Sequence, residues 1–211
     1  MRFNSDAIVW TDFGGVLTPS VSESFSAFAR YVQIEPGELM RGMRAVSTRY
    51  GAEDVLAPLE AGHLDEREWA GELPAILDLP IAADALSGSW FTARPVNQIW
   101  LDVLYLIKGK GIRIGLLTNM PPGWASQWGQ MVDPSLFDEV VISSKVGARK
   151  PDTRIFSLAA AAAGVPQESC ILVDDLKANC VGAEAAGWTS VQYQDSPQAT
   201  QKLTSLLGAA L

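Results

Sequence analysis

Residues 7–20 read AIVWTDFGGVLTPS, and the fold is decided there. An apolar run from Ala7 to Trp10 passes through Thr11 straight into Asp12, and Gly14 and Gly15 follow almost at once. Hydrophobicity that is continuous rather than alternating is what a parallel strand needs when both of its faces are covered. In an open α/β sheet the C-terminal strand ends form the ligand crevice. A carboxylate there, beside a backbone nearly bare of side chains, is a candidate for chemistry, although read alone Asp12 would serve equally as a helix N-cap.

Further along the chain, residues 112–117, 139–143, 169–173 and 189–193 are also apolar runs of strand length. Helical patterns lie between them. In RPVNQIWLDVLYLIKGKG, Val96, Ile99, Trp100, Val103, Leu104 and Ile107 recur at i, i+3, i+4 spacing, and Gly109 or Gly111 can stop the helix. DTRIFSLAAAAAG offers Asp152 as N-cap and Gly164 as C′ glycine, and KANCVGAEAAGW ends at Gly187. This alternation predicts an α/β fold with a doubly wound, Rossmann-like parallel sheet.

The segment from about 20 to 94 is too long for one crossover helix. It reads as short amphipathic helices, SESFSAFARYV, EPGELMRGMRAV and LDEREWAGELPAIL, punctuated by Pro36, Gly62 and Pro74. The expected organisation is a core of residues 1–19 and 95–211 with a helical cap, 20–94, over the C-terminal edge of the sheet.

Composition narrows the partners. At 211 residues and 48% apolar the chain can bury a sizeable core. A net charge of −8 with no basic stripe argues against nucleic acid. Cys170 and Cys180 read as small buried hydrophobes in a reducing compartment rather than a disulfide. MRFNSDA has no apolar signal region and no run approaches a membrane span, so a soluble cytoplasmic monomer or homodimer is expected, without a membrane partner.

Chemistry gathers at the strand ends. Asp12 follows the first strand, Thr118 and Asn119 the second, Lys145, Arg149 and Lys150 the third, and Asp174 and Asp175 the fourth. Parallel strands would bring these groups to one edge. Three carboxylates that close repel one another unless a cation sits among them. A donor set of oxygens alone favours a hard ion such as Mg²⁺.

The set DFGGVLT, LLTN, RKPDTRIF and VDDLKANCVGA, in this order, resembles the haloacid dehalogenase superfamily, and the intervening helices resemble its smaller α-helical cap. The resemblance implies a Mg²⁺-dependent phosphatase acting on a small phosphorylated metabolite, with Asp12 as the nucleophile that forms an aspartyl-phosphate. It implies metal ligation by Asp12, the Gly14 carbonyl and Asp175, with Asp174 direct or through water. Thr118 and the Asn119 amide would bind phosphoryl oxygens, Lys150 would offset charge in the transition state, and Asn179 would orient the acidic loop. Lys145 and Arg149 are expected to be solvated, and Trp90, Trp124 and Trp128, mainly core, flank loops that could wall a pocket.

One departure stands out. Most phosphatases of this superfamily carry a second acid two residues after the nucleophile, where this chain has Gly14. General acid–base help is worth ~10²–10⁴-fold. Three readings remain: a phosphatase with a good leaving group, as in a resembling subgroup thought to include sugar-phosphate phosphatases; a metal-independent 2-haloacid dehalogenase, against which VDD counts; or a non-catalytic binding protein of the same fold. Phosphonate cleavage would want a cap lysine, and residues 20–94 contain none. Within the cap, Glu60 and His63 are the acids that could substitute, and each is expected to be an ordinary surface residue.

Overall fold

The computed structural model describes residues 7–31, 33–52, 54–64, 66–77 and 94–208. Five strands, β1 (Ile8–Thr11), β2 (Arg113–Thr118), β3 (Glu139–Ile142), β4 (Cys170–Asp174) and β5 (Thr189–Gln192), form one sheet in the order β3-β2-β1-β4-β5. Every pairing is parallel. The apolar runs in the sequence therefore become strands to within a residue or two, and β1, β2 and β4 are buried almost throughout.

Both faces are covered, which is why these strands are apolar on both sides. Against one face Val9, Leu116, Ile171 and Val173 pack with Trp100 and Leu104 of α5 (Gln98–Gly109) and Leu203 of α10 (Ser196–Leu207). Against the other, Ile8, Trp10, Leu117 and Leu172 meet Ile155 and Phe156 of α8 (Thr153–Ala163) and Ala183 of α9 (Lys177–Ala185). Asp152 caps α8 by accepting from the Arg154 N–H at 2.9 Å, and Gly164 closes that helix at φ 66°. Cys170 and Cys180 are buried free thiols.

Between β1 and α5 the chain forms α1 (Val21–Tyr31), α2 (Pro36–Arg49), α3 (Ala57–Glu60) and α4 (Glu66–Leu77). Phe25, Phe28, Leu39, Met43 and Val46 carry the buried faces of α1 and α2 into the first core cluster. Pro36 starts α2, as its fixed φ suits a first turn. Pro74 does not punctuate: α4 runs through it to Leu77, forgoing one intrahelical bond close to its end. Trp90 lies outside the described residues. Among the described residues no helix is long and apolar enough to cross a membrane.

Candidate active site

The register sets the site. Thr11 lies opposite Leu116 on β2 and Val173 on β4, so Asp12 emerges one residue beyond β1, between two buried strands that run on past its end, at the point where the strand order reverses about β1. The Asp12 N–H donates to the Val173 carbonyl at 2.9 Å, continuing the ladder into the loop that follows β1. Beyond Asp12 the chain turns at once: Leu17 and Thr18 N–H both donate to the Phe13 carbonyl, and Gly15 N–H donates to Thr18.

The two glycines of this turn differ. Gly15 has φ +85°, and a Cβ on it would fall 2.2 Å from Oδ2 of Asp175, so neither the backbone nor the space admits a side chain. Gly14 is outside the left-handed region, and a Cβ there would meet only Val21 Cγ2 at 3.6 Å. Its lack of an acid is not forced by local geometry.

Asp12, Asp174 and Asp175 each offer an oxygen within 4.8 Å of the others. Lys150 reaches into the cluster fully buried, its Nζ 2.8 Å from the Leu117 carbonyl, 3.0 Å from Asp12 Oδ1 and 2.6 Å from Asp174 Oδ2. Those three acceptors use all three ammonium hydrogens. Burial alone would favour neutral lysine, but Asp12 and Asp174 outweigh it and hold the ammonium well above its ordinary value.

The carboxylates respond oppositely. Burial, reinforced by Asp174 and Asp175 and opposed by Lys150, raises Asp12 to about 7. Burial and Asp174 raise Asp175 to about 6. Three carboxylates against one ammonium leave this cluster with excess negative charge.

Asp174 and Asp175 have different surroundings. Asp174 accepts from the Leu176 N–H at 2.9 Å, from Asn179 Nδ2 at 2.9 and 3.1 Å, and from Lys150, so both of its oxygens are occupied. Asp175 Oδ1 is buried with no hydrogen-bond partner. An orphaned carboxylate oxygen beside other oxygens is the donor set a hard divalent cation takes, and these residues fit one.

Thr118, at the end of β2, is 1% exposed beside this group. The Asn119 side chain forms a reciprocal pair with the Lys150 backbone, donating to its carbonyl at 2.9 Å and accepting from its N–H at 2.8 Å. It thereby fixes the segment from which Lys150 extends. A cavity of about 300 Å³ opens over the carboxylates, lined by Asp12, Gly14, Asn119 and Asp175 from the sheet edge and by Phe25, Met40 and Glu60 from the helices.

Several expectations are corrected. Arg149 is not solvated: its Nη2 bonds Asp54 at 2.6 Å and Glu60 at 2.7 Å, tying the helical segment to the residue beside Lys150. Glu60 is not a surface residue but 5% exposed. Trp124 and Trp128 belong to the buried core, as expected. Lys145 and His63 are exposed as expected.

The sequence also gave no sign of Arg94. Its Nη2 bonds Thr18 Oγ1 and, at 2.6 Å, the Pro19 carbonyl, joining the two connections between sheet and helices. Its guanidinium lies 5.8 Å from the centre of the Trp124 ring. Burial, partly offset by Asp12, lowers it to about 10. A lone arginine before a proline carries no pattern that could have marked it.

The three carboxylates and the buried lysine thus meet at the switch point of a doubly wound sheet, where ligands of such folds bind. The chain belongs to the haloacid dehalogenase-like hydrolase family, which it matches over residues 6–187. It is 29% identical over 152 residues to the sesquiterpene phosphatase astK of Aspergillus oryzae, covering 71% of this chain and 77% of that one. For other curated relatives, several of them phosphatases, the chain spans about half of their length or less.

Among solved structures it resembles a family enzyme of Bacteroides thetaiotaomicron in complex with magnesium and inorganic phosphate (TM-score 0.68, 17% identity, 89% and 94% of the two chains). It also resembles an L-2-haloacid dehalogenase of Xanthobacter autotrophicus with chloropropionic acid covalently bound (TM-score 0.65, 16% identity, 97% and 83%). The chain is a phosphatase-like hydrolase of this family.

Proposed function

We propose that the protein is a Mg²⁺-dependent phosphatase of a small phosphorylated metabolite, working through an aspartyl-phosphate on Asp12. The observation that carries this reading is the Asp12–Asp174–Asp175 cluster with Lys150 buried against it. Asp12 Oδ1 is engaged by Lys150 and by the Phe13 N–H at 2.7 Å, and neither bond uses Oδ2. A carboxylate held this way presents an oriented oxygen to phosphorus. Asp12, Asp175 and the Gly14 carbonyl would hold the metal, with Asp174 turned to Lys150 instead of the ion. When bound, Mg²⁺ would offset the negative charge of phosphoryl group and nucleophile together. Thr118 and the Asn119 amide are assigned to the phosphoryl oxygens, and Lys150 to the charge that builds as phosphorus transfers.

The cavity wall bears on the substrate. Val21, Phe25, Met40, Val55, Leu56 and Leu176 line it beside the charged groups. That apolar share and the likeness to a sesquiterpene phosphatase favour adding prenyl phosphates to the sugar phosphates suggested by motif one. The dehalogenase reading, supported by fold likeness alone, leaves the orphaned Asp175 oxygen without a purpose.

The test is phosphate release over a metabolite panel of sugar, prenyl and amino-acid phosphates, with Mg²⁺ and after EDTA and dialysis. Activity that falls with chelation and returns with Mg²⁺ is expected. Full activity without metal, or chloride release from 2-chloropropionate with no phosphatase activity, overturns the reading.

A further inference from the structure

The missing side chain at Gly14 leaves the leaving group's proton without an owner, and the helical segment offers one. We propose that Glu60 is a catalytic residue that donates this proton and takes one back from water, in place of the acid absent at Gly14; the proposal rests on the phosphatase reading above.

Glu60 ends α3 and lines the same cavity as Asp12 and Gly14. Its Oε2 is held by Arg149 at 2.7 Å, whereas Oε1 has no hydrogen-bond partner among the described residues. The turn behind it is seated closely: Gly62 has φ +73°, and a Cβ there would lie 2.9 Å from the Ser144 carbonyl of α7 (Ser143–Val146). A carboxyl on so firmly placed a turn is positioned by the core. His63 is exposed and lines no part of this cavity.

The charges around Glu60 allow it to carry a proton. Arg149 faces two carboxylates, Asp54 and Glu60, so one guanidinium cannot neutralise both. The Asp54 side chain is 50% exposed and that of Glu60 only 7%, so of the two carboxyls Glu60 is the one whose charge burial disfavours. Burial raises the Glu60 carboxyl above its ordinary value, with Asp54 adding to this and Arg149 and Lys150 opposing it.

In the first step Asp12 forms the bond to phosphorus as the bond to the leaving oxygen breaks, and the Glu60 proton passes to that oxygen. In the second, water attacks the phosphorus of the aspartyl-phosphate and gives a proton to the Glu60 carboxylate. Inorganic phosphate departs, and Asp12 and protonated Glu60 are restored.

The experiment measures kcat/KM with Mg²⁺ for a series of aryl and alkyl phosphates. A positioned acid flattens the dependence on leaving-group pKa. The wild type should show a shallow slope, and Glu60→Gln should steepen it, costing alkyl phosphates ~10²-fold more than aryl ones. Glu60→Asp should recover part of the difference. A uniform loss across the series would mean that Glu60 merely anchors α3 through Arg149, and it would overturn the proposal, as would no loss at all. If Glu60→Gln does not fold, the wild-type slope decides alone, because a steep one leaves no donor at work. Failure of the phosphatase reading looks different: the wild type would then release phosphate from no member of the series.

Discussion

Replacing Gly15 by alanine should damage the site out of proportion to one methyl group. At φ +85° an L-residue costs about 1–2 kcal/mol in backbone conformation alone. The added Cβ would stand 2.2 Å from Asp175 Oδ2, 2.3 Å from its Cγ and 2.7 Å from Oδ1, where real Cβ atoms do not approach within 3.0 Å. Either the Asp175 carboxylate or the turn must move by the better part of an ångström. Together these effects should destabilise the fold by about 1–3 kcal/mol, and a chain of this size loses ~2–4 °C in Tm per kcal/mol. A shift of about 1 Å in a positioned group can cost ~10²-fold in rate. Thermal unfolding and Mg²⁺-dependent kcat are the assays, with Gly14→Ala as the stability control, since its Cβ meets only an ordinary 3.6 Å contact. A Gly15→Ala protein with wild-type Tm and kcat, or a Gly14→Ala protein equally destabilised, would refute this account of the turn.

Asp12→Asn should hold the fold, because the amide is nearly isosteric, and reduce kcat to below about a hundredth of wild type, because an amide is a poor nucleophile; a variant above that level removes Asp12 as nucleophile. Lys150→Met should lower stability by about 3–5 kcal/mol in urea unfolding without Mg²⁺, since Asp12 and Asp174 are left buried without their ammonium. An unchanged midpoint would mean that the ion pairs contribute nothing net.

The sheet was legible because its strands are apolar on both faces, and among the described residues no helix or loop imitates runs such as Ile171–Val173 ending in two aspartates. The convergence of Asp12, Lys150, Asp174 and Asp175 followed from topology: parallel strands put their C-termini on one edge whatever the side-chain details. Arg149, Glu60 and Asp54 were not legible for the converse reason. Their pairing spans 95 residues between Asp54 and Arg149 and depends on how α3 seats against the sheet edge, which no local periodicity encodes. Arg149 next to Lys150 looked like one more surface charge, and only the fold shows that consecutive residues face different partners.

That consecutive pair has a mechanical consequence. Lys150 extends inward to Asp12 and Asp174, while Arg149 extends to Glu60 and Asp54 of the helical segment. Between the two side chains lies a single peptide unit, and Asn119 grips the Lys150 backbone through both its N–H and its carbonyl. Burying a lysine between two carboxylates is seldom favourable for stability compared with apolar packing, so its presence is better explained by what the charge does at the site. With the backbone of that lysine clamped to β2 by Asn119, and its neighbour clamped to α3, any change in how α3 seats must strain one clamp or the other. The seating of the helices over the cavity and the position of the charge beside Asp12 are therefore set by one short loop. This places the structural demand on residues 149 and 150 together rather than on the lysine alone.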